Sequence, residues 1–541
     1  MYQRRITSKS SKILYNRRCS ISYHRIYHNR NHNLFHYNQI KGSRCYSRYY
    51  LLSSLSLLTI TSLQYPYTYS DYNIINDDSN QIKSNLTTTD AKKQLSLIHL
   101  INHYLKLIYN KIKNGILIIV RSGYHFIILS PILAIFPLYS FNLINEEWWW
   151  NFLRYCIKCS GSCNTKFAQW IATRPDLFPL VLCQQLQVLQ SNATKSSWKH
   201  AEQSLKYAFG NDWNKNIYID MSNDNKTPIV LGSGCVAQVF KGKVNNKSVA
   251  IKIIHPDIKE EIEADIRIMK FVTSLIDMIP GLQNLSLSES VEEFQQIMTA
   301  QLDLTKEAQN LLLFRSNFNQ TKGVTFPEPI YPYISPTALV ETYEQGTLVS
   351  DMLDYSDPFT KKKLAILGLD AILKMTFLDN FIHADLHPGN IIVRNLDNGN
   401  LELSMIDVGI VAKLQPEDRK NFIELFDAVI KNDGKRVGRL MIERSRGKTC
   451  LNEEGFMKEL DEVVTEVHAC GLSLGRIGIG PLLQKVLVAC YNHGVKIESR
   501  FAIVIIALGI SEGLGRRLDP DVDILKRAAP FVLKAAVAGL Y

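Results

Sequence analysis

The amino-acid sequence predicts an α+β protein of two lobes, a β-rich one followed by a helical one, with a helical segment added ahead of both. Three observations predict this. From Ile229 the chain reads as strands, IVLGSGCVAQVFKG and KSVAIKII, around a Gly-rich turn. Residues 289–318 then read as one long amphipathic helical region. After Lys413 come amphipathic helices with apolar runs such as Phe501–Ile510. That run is too short to cross a bilayer and reads as the core of a helical lobe.

The 541 residues are 46% hydrophobic and 21% charged, which excludes wholesale disorder, and 28 Gly with 18 Pro exclude a collagen-like chain. The net charge of +11 is not spread evenly. Eleven of the 62 basic residues fall in residues 1–70, where no acid occurs before Asp71, so 51 bases face 51 acids in the remainder. A basic, acid-free head of this length reads as an organellar, mitochondrial presequence over 1–70. A secretory signal is the rival, because Leu51–Leu63 resembles its apolar core, but the basic leader is much longer than such a signal needs. Nucleic acid is not an expected partner, since no compact basic motif with aromatic readers follows. His24, His28, His32 and His36 recur every four residues but lack a Cys, Asp or Glu to complete a metal site.

A polar linker is expected over 71–95 and a hydrophobic, membrane-associated or transmembrane segment over 96–145. Within it Tyr124–Ile144 carries no formal charge and is followed by Trp148, Trp149 and Trp150. That is a bilayer's length with an aromatic cluster at its edge. His125, Pro131, Pro137 and Asn142 favour the alternative, a buried or interfacial helical hairpin. Residues 146–225 are expected as a helical extension. There Cys156, Cys159 and Cys163 stand at helical spacings with no fourth ligand nearby, which favours packing over metal binding. The β-rich lobe is placed at 226–345 and the helical lobe at 346–541.

The chemistry is concentrated in four motifs. In Gly232, Ser233, Gly234, Cys235, Val236 and Ala237, missing or small side chains let backbone N–H groups approach phosphate oxygens. Lys252 ends VAIK on the next predicted strand, where an ammonium reaches the α/β-phosphates. Glu307, on the helical region, is the expected partner of Lys252, with Asp303 one turn earlier on the same face. In FIHADLHPGNIIVR, Asp385 and Asn390 stand five residues apart ahead of a β-run, as in the kinase catalytic loop. There the acid orients or deprotonates an acceptor and the Asn binds Mg²⁺. Asp407, seventeen residues after Asn390 in MIDVG, supplies a second oxygen ligand for that hard cation. Together these make an atypical protein-kinase-like nucleotide site for ATP and Mg²⁺. No APE follows DVG, and Pro416 stands only seven positions after Gly409, which leaves almost no platform for a peptide substrate.

The combination KFAQW, GSGCVAQVFKG, VAIKIIHP, QLDLTKEAQN, HADLHPGN and DVG resembles the ABC1/aarF/UbiB atypical kinases over residues 146–541. Through GSGCVAQV, LVETYEQG and ESRFAIVIIALGISEGLGRRLDP it most resembles the mitochondrial aarF-domain-containing kinase 2 branch. The resemblance implies an added KxGQ-type helical segment, Mg-ATP binding, ATPase or small-molecule or lipid kinase activity, and a role in coenzyme Q and mitochondrial lipid metabolism. Expected partners are membrane lipids, a lipidic quinone intermediate and coenzyme Q biosynthetic enzymes, at the mitochondrial inner membrane. A catalytically weak nucleotide-binding scaffold or lipid chaperone is the alternative. A choline-kinase-like phosphotransferase is disfavoured by the KFAQ signature. The family's KxGQ residues, which reach into the nucleotide site, correspond to Lys166 and Gln169, with Ala168 in place of Gly. Its ExD pair corresponds to Gln301 and Asp303, so the acid that would accompany Lys166 is missing. Many members carry an Ala-rich phosphate loop where this chain has Gly234 and Cys235, and Val408 replaces the usual middle residue of DFG.

Overall fold

The computed structural model describes residues 89–541 apart from 173, 175–177, 191–196, 223–226, 280–286, 356, 397–398, 446–449, 470–478, 496–514, 516, 523 and 540–541. The expected presequence, most of the expected linker, the four-histidine series and the Phe501–Ile510 run lie outside the described residues. The chain divides into two compact units, 1–106 and 107–541; of the first, only the opening of one helix is described.

That helix, α1 (Thr89–Ser140), runs unbroken through Pro131 and Pro137. Within residues 100–140 the helix is long enough, and over one stretch apolar enough, to cross a membrane by length and composition. The chain then turns back into α2 (Glu146–Cys159), started by Asn145, whose side chain accepts from the Trp148 N–H. Tyr139 stacks on Trp149 at 5.2 Å, and the Tyr124 hydroxyl donates to the Cys159 carbonyl at 2.5 Å. The segment from Tyr124 onward is therefore one arm of an antiparallel hairpin whose other arm carries Glu146, Glu147, Arg154 and Lys158. Trp149 (3% exposed) and Trp150 (8%) are packed inside it rather than arrayed as an outer aromatic belt. Two bonded, charged cations or rings pin α1 to the body: Arg121 makes two bonds to Asp265, at 2.5 and 2.6 Å, and His125 Nε2 lies 2.7 Å from the same carboxylate.

Next come α3 (Ser162–Ala172), α4 (Leu180–Leu186) and α5 (Trp198–Phe209). Cys156 and Cys163 are buried and burial raises both thiols, as packing residues require. Among the described residues no group of His, Cys, Asp or Glu is placed to hold a metal ion.

The strands β1 (Ile217–Ile219), β2 (Val230–Ser233), β3 (Ala237–Val244), β4 (Lys247–Ile254), β6 (Pro329–Ile334) and β7 (Ala338–Thr342) form one sheet in the order β1-β3-β4-β7-β6, with β2 also on β3. The sheet opens upstream of the expected boundary at 226, because Ile217–Ile219 pairs with Val244–Gly242. Asn245 and Asn246, with φ of 49° and 63°, close the β3–β4 hairpin with Val244 opposite Lys247. Two left-handed residues in a two-residue loop match the right-handed strand twist. Alternation sorts the faces of β4. Val249, Ile251 and Ile253 pack under α5 with Leu205, Trp213 and Phe240, while Ile254 joins the main core on the other side.

Between β4 and the short β5 (Val324–Thr325) lie α6 (Ile258–Asp277), α7 (Leu287–Gln301) and α8 (Leu304–Phe318). The helical region expected over 289–318 is thus two helices. Asp303 breaks it by capping α8, accepting from Thr305 N at 3.1 Å and Thr305 Oγ1 at 2.6 Å.

After β7 the link passes Gly346, whose φ of 152° and closeness to β10 leave no room for a Cβ: one would lie 2.3 Å from the Val393 carbonyl. The second lobe holds β8 (Thr347–Leu348), α9 (Val349–Tyr355), α10 (Pro358–Leu373), β9 (Ile382–His383), β10 (Ile391–Asn395), β11 (Leu401–Met405) and β12 (Val411–Ala412). Strands β5-β11-β10-β8 form a second sheet, and β9 pairs with β12. Helices α11 (Pro416–Ile430), α12 (Gly434–Glu443), α13 (Glu453–Ala469), α14 (Ile479–His493) and α15 (Ile524–Val537) complete the lobe. The α+β, two-lobe expectation holds.

Candidate active site

The site is assembled from four segments that the two lobes bring together. Its roof is the Gly-rich turn between β2 and β3. Gly234 N–H donates to the Ala237 carbonyl at 2.8 Å, and His255, just past β4, holds the Gly234 carbonyl through Nε2 at 3.0 Å and donates its backbone N–H to the Val236 carbonyl at 2.9 Å. Ser233 pairs with Gln238, and Val236 is buried beneath the turn. A Cβ on Gly232 would meet nothing within 4 Å, and one on Gly234 only the Ala237 carbonyl at 3.6 Å. The protein's own packing therefore does not require these glycines; they leave open space above the backbone, which suits an approaching phosphate.

Lys252 projects from the middle of β4 beneath this roof. Its Nζ lies 2.7 Å from Glu307 Oε1 and 3.1 Å from Asp407 Oδ1. Glu307 sits in the first turn of α8 and is buried, so the cap at Asp303 fixes the helix end that delivers it. Burial opposes the charge on Lys252, but Asp407 and Glu307 outweigh it and hold the ammonium protonated. Burial pushes Glu307 up to about 7, against the pull of Lys252. Asp407 is held well below the usual carboxylate range, its burial cost overcome by Lys252, and its side chain stays 44% exposed. It is the open member of the cluster, facing the cleft.

The floor is the loop from His383 to Asn390. Asn390 donates its amide to the Asp385 carbonyl at 3.2 Å, and its own carbonyl accepts from Ile406 N–H at 3.0 Å. The amide oxygen is thereby turned away from the donor end and left as a ligand. Among the described residues no hydrogen bond or ion pair occupies the Asp385 carboxylate. The DVG turn is fixed by Asn310 of α8, which donates to the Val408 carbonyl at 3.0 Å, and by Gly409 N–H on Asp407 Oδ1 at 3.3 Å.

Sequence reasoning missed two residues. His383 is buried and accepts from Asp385 N–H at 3.2 Å, while its Nε2 is buried without a hydrogen-bond partner among the described residues. Burial lowers its pKa, which favours a neutral ring holding the Asp385 backbone. The signal was its place two residues before Asp385. The second is Glu341 on β7, a buried carboxyl raised well above its ordinary value by burial and by Glu307.

The three residues expected to regulate access divide. Burial raises the Cys235 thiol, and the charge of Lys166 on α3 opposes that rise. Among the described residues Lys166 has no carboxylate partner. The side-chain amide of Gln169 donates to the Leu189 carbonyl at 2.9 Å. Asp303, four positions before Glu307, is the cap of the helix that carries it.

The residues fit the ligands expected of them. Asp407 and Asn390 offer a carboxylate and an amide oxygen, the hard donors Mg²⁺ takes when substrate phosphates complete its shell. The charged Lys252 and the open turn suit a triphosphate.

Comparison with known proteins agrees with this geometry. Residues 188–441 match the model of the ABC1 atypical kinase-like domain, and residues 467–523 match the UbiB helical domain. A mitochondrial ABC1 family protein of Schizosaccharomyces pombe is 31% identical over 89% of this chain and 79% of its own. Its counterpart in Saccharomyces cerevisiae, also named mitochondrial, is 33% identical over 71% of this chain and 67% of its own. A "Probable protein kinase UbiB" of Cronobacter sakazakii is 31% identical over 70% and 69%. The chain belongs to the ABC1/UbiB atypical kinase family.

Proposed function

We propose that this protein binds Mg-ATP and hydrolyses it, or passes its γ-phosphoryl group to a small or lipidic acceptor, in support of coenzyme Q synthesis and mitochondrial lipid metabolism. The observation that carries the reading is the convergence of Lys252, Glu307 and Asp407 beneath an open Gly-rich turn, with Asp385 and Asn390 alongside. Lys252, kept charged and aimed by Glu307, would hold the α/β-phosphates. Asp407 and Asn390 would hold the cation, which when bound offsets the charge on the transferring phosphoryl group. The Asp385 carboxylate, free of other partners, would orient the attacking hydroxyl or water.

A protein acceptor fits poorly, because Val411–Ala412 pairs with β9 and α11 begins at Pro416, so no long segment follows DVG to seat a peptide. The exposed apolar residues of the hairpin, among them Phe126, Ile127, Leu133 and Phe141, support work at a membrane surface in the mitochondrion. The charge of Lys166 acting on Cys235 in the Gly-rich turn favours a second reading, a slow nucleotide-dependent scaffold whose own chain restrains turnover.

The test is ATP hydrolysis by the purified protein with and without cardiolipin-containing liposomes. Lipid-stimulated hydrolysis lost in Lys252→Ala supports the first reading. Nucleotide binding without turnover in any condition supports the scaffold.

A further inference from the structure

Helix α6 carries an apolar face that the rest of the described protein leaves open. Near the start of that helix Glu261 and Asp265 hold Arg121 of α1, and His125 is on Asp265 as well. Steps of three or four residues along a helix stay on one face. From Asp265 such steps lead to Ile268, Val272, Leu275 and Ile279, with Phe271 and Met278 beside them. The face is closed at Asp265, which is 1% exposed, and open further on. There Phe271 is 65% exposed and Met278 75%, and Val272, Leu275 and Ile279 are each nearly half exposed. Large apolar side chains open on successive turns of one helix exceed the single ones scattered over an ordinary surface.

Position and charge together say what covers this face. Arg121 meets both Glu261 and Asp265, and His125, one turn further along α1, meets Asp265. The two helices therefore leave the pin in the same sense. At the helical rise, Met278 lies about 20 Å past Asp265 along α6, and Ser140 about 22 Å past His125 along α1. The open apolar residues of α6 thus lie on the same side of the pin as Phe126, Leu133 and Phe141 of the hairpin. Charge narrows the choice further. Between Arg267 and Ile279 the only acid is Asp277, which accepts from Ser288 Oγ. Arg267 is exposed one turn before Phe271, and Lys270, 3.8 Å from Glu292, borders the same stripe. An apolar stripe with cations along one edge suits a lipid headgroup layer, where the chains take the apolar groups and the phosphates the cations.

Resting on the membrane reading of the hairpin above, we propose that the open face of α6 is a second membrane contact, entering the same anionic leaflet as the hairpin. A single contact leaves a body free to swing, whereas two contacts joined by a buried pin fix its orientation on the surface. Helix α7 packs back on α6 through the Lys270–Glu292 and Asp277–Ser288 pairs. It leads through the cap Asp303 to α8, whose first turn carries Glu307. The way α6 lies on the leaflet therefore sets how the Lys252 cluster faces the lipid.

The probes are phosphatidylcholine vesicles with and without phosphatidylglycerol, added to the full-length protein. A photoreactive p-benzoylphenylalanine replaces Met278, Phe126 of the hairpin or Tyr207 on α5, the last 84% exposed and serving as the control. Irradiation is expected to join lipid to the protein at the Met278 and Phe126 positions and not at Tyr207. Lipid joined at Phe126 alone overturns the inference and leaves the hairpin reading standing, whereas lipid joined at neither overturns both. A link from the Met278 position to a second copy, or to another segment of this chain, also overturns it. Vesicle cosedimentation measures the strength of the contact. Phe271→Asp combined with Met278→Asp is expected to weaken binding at least about tenfold. Arg267→Gln is expected to weaken binding about fivefold, and only to the vesicles containing phosphatidylglycerol. All three side chains are exposed, so the thermal midpoint is expected to stay where it is. Unchanged vesicle affinity in the folded double variant overturns the inference. Should that variant fail to fold, the photochemical result at Met278 decides.

Discussion

Two buried ionic clusters in this molecule are built from similar parts and are put to different ends. At the hairpin, Arg121 is shared by Asp265 and Glu261, with His125 on Asp265, and the Arg121 and Asp265 side chains are only 3% and 1% exposed. Beneath the Gly-rich turn, Lys252 is shared by Glu307 and Asp407, with Glu341 close by, and Asp407 is 44% exposed. The first cluster is closed and bidentate, a pin between α1 and α6. The second has more carboxylates than cations and opens onto a cleft. Excess negative charge on the open side is a cost to the apo fold and an advantage once a metal–nucleotide complex arrives. The difference separates a structural pin from a ligand site more sharply than burial alone.

Breaking the pin should have the largest effect. Asp265→Ala leaves a buried guanidinium without its bidentate partner and should cost about 3–5 kcal/mol, read as a lower urea midpoint. Breaking the open cluster should act on chemistry instead. Asp407→Asn should lower ATP turnover by about 10²-fold or more, with a much smaller shift in the urea midpoint than Asp265→Ala. If the two variants lose stability equally, the distinction between pin and site collapses.

Glu341 sharpens the comparison from the other side. Its carboxyl is raised well above the ordinary value of 4.5 by burial, so above that pH the unfolded chain has lost a proton that the folded chain keeps. Folding stability therefore falls as pH rises, and removing the group relieves the cost. Glu341→Leu should raise stability by about 1–3 kcal/mol near neutral pH, with the gain shrinking as pH is lowered toward 4.5. The smallest effect belongs to Asp303→Ala, which removes the α8 cap and should cost about 1 kcal/mol. Because Glu307 is in that first turn, a modest loss of ATP affinity should accompany it.

Much of the site was legible because its parts are local motifs. GSGCVA, VAIK, HADLHPGN and DVG each carry their chemistry in adjacent residues, and Glu307 was reachable because a β-strand lysine needs a helix-borne acid. The break between α7 and α8 was legible in principle: Asp303 two residues before Thr305 is a cap signal, but the apolar period on either side masked it. Glu341 escaped because a single acid at the end of the apolar run ALVET reads locally as a strand end. Only its register against Lys252 reveals which face it occupies. The hairpin shows the limit of hydropathy. An uncharged run of bilayer length reads the same whether or not it folds back on a neighbour, and only the contacts of Tyr124, Tyr139, Arg121 and His125 reveal the hairpin.

The central claim, that the Lys252 cluster is a metal–nucleotide site, is tested most directly by calorimetric titration of ATP into wild type and Asp407→Asn, with and without Mg²⁺. The account predicts Mg²⁺-dependent binding by the wild type and at least about tenfold weaker binding by the variant. Equal affinity in the two proteins, or no binding in either, would contradict it.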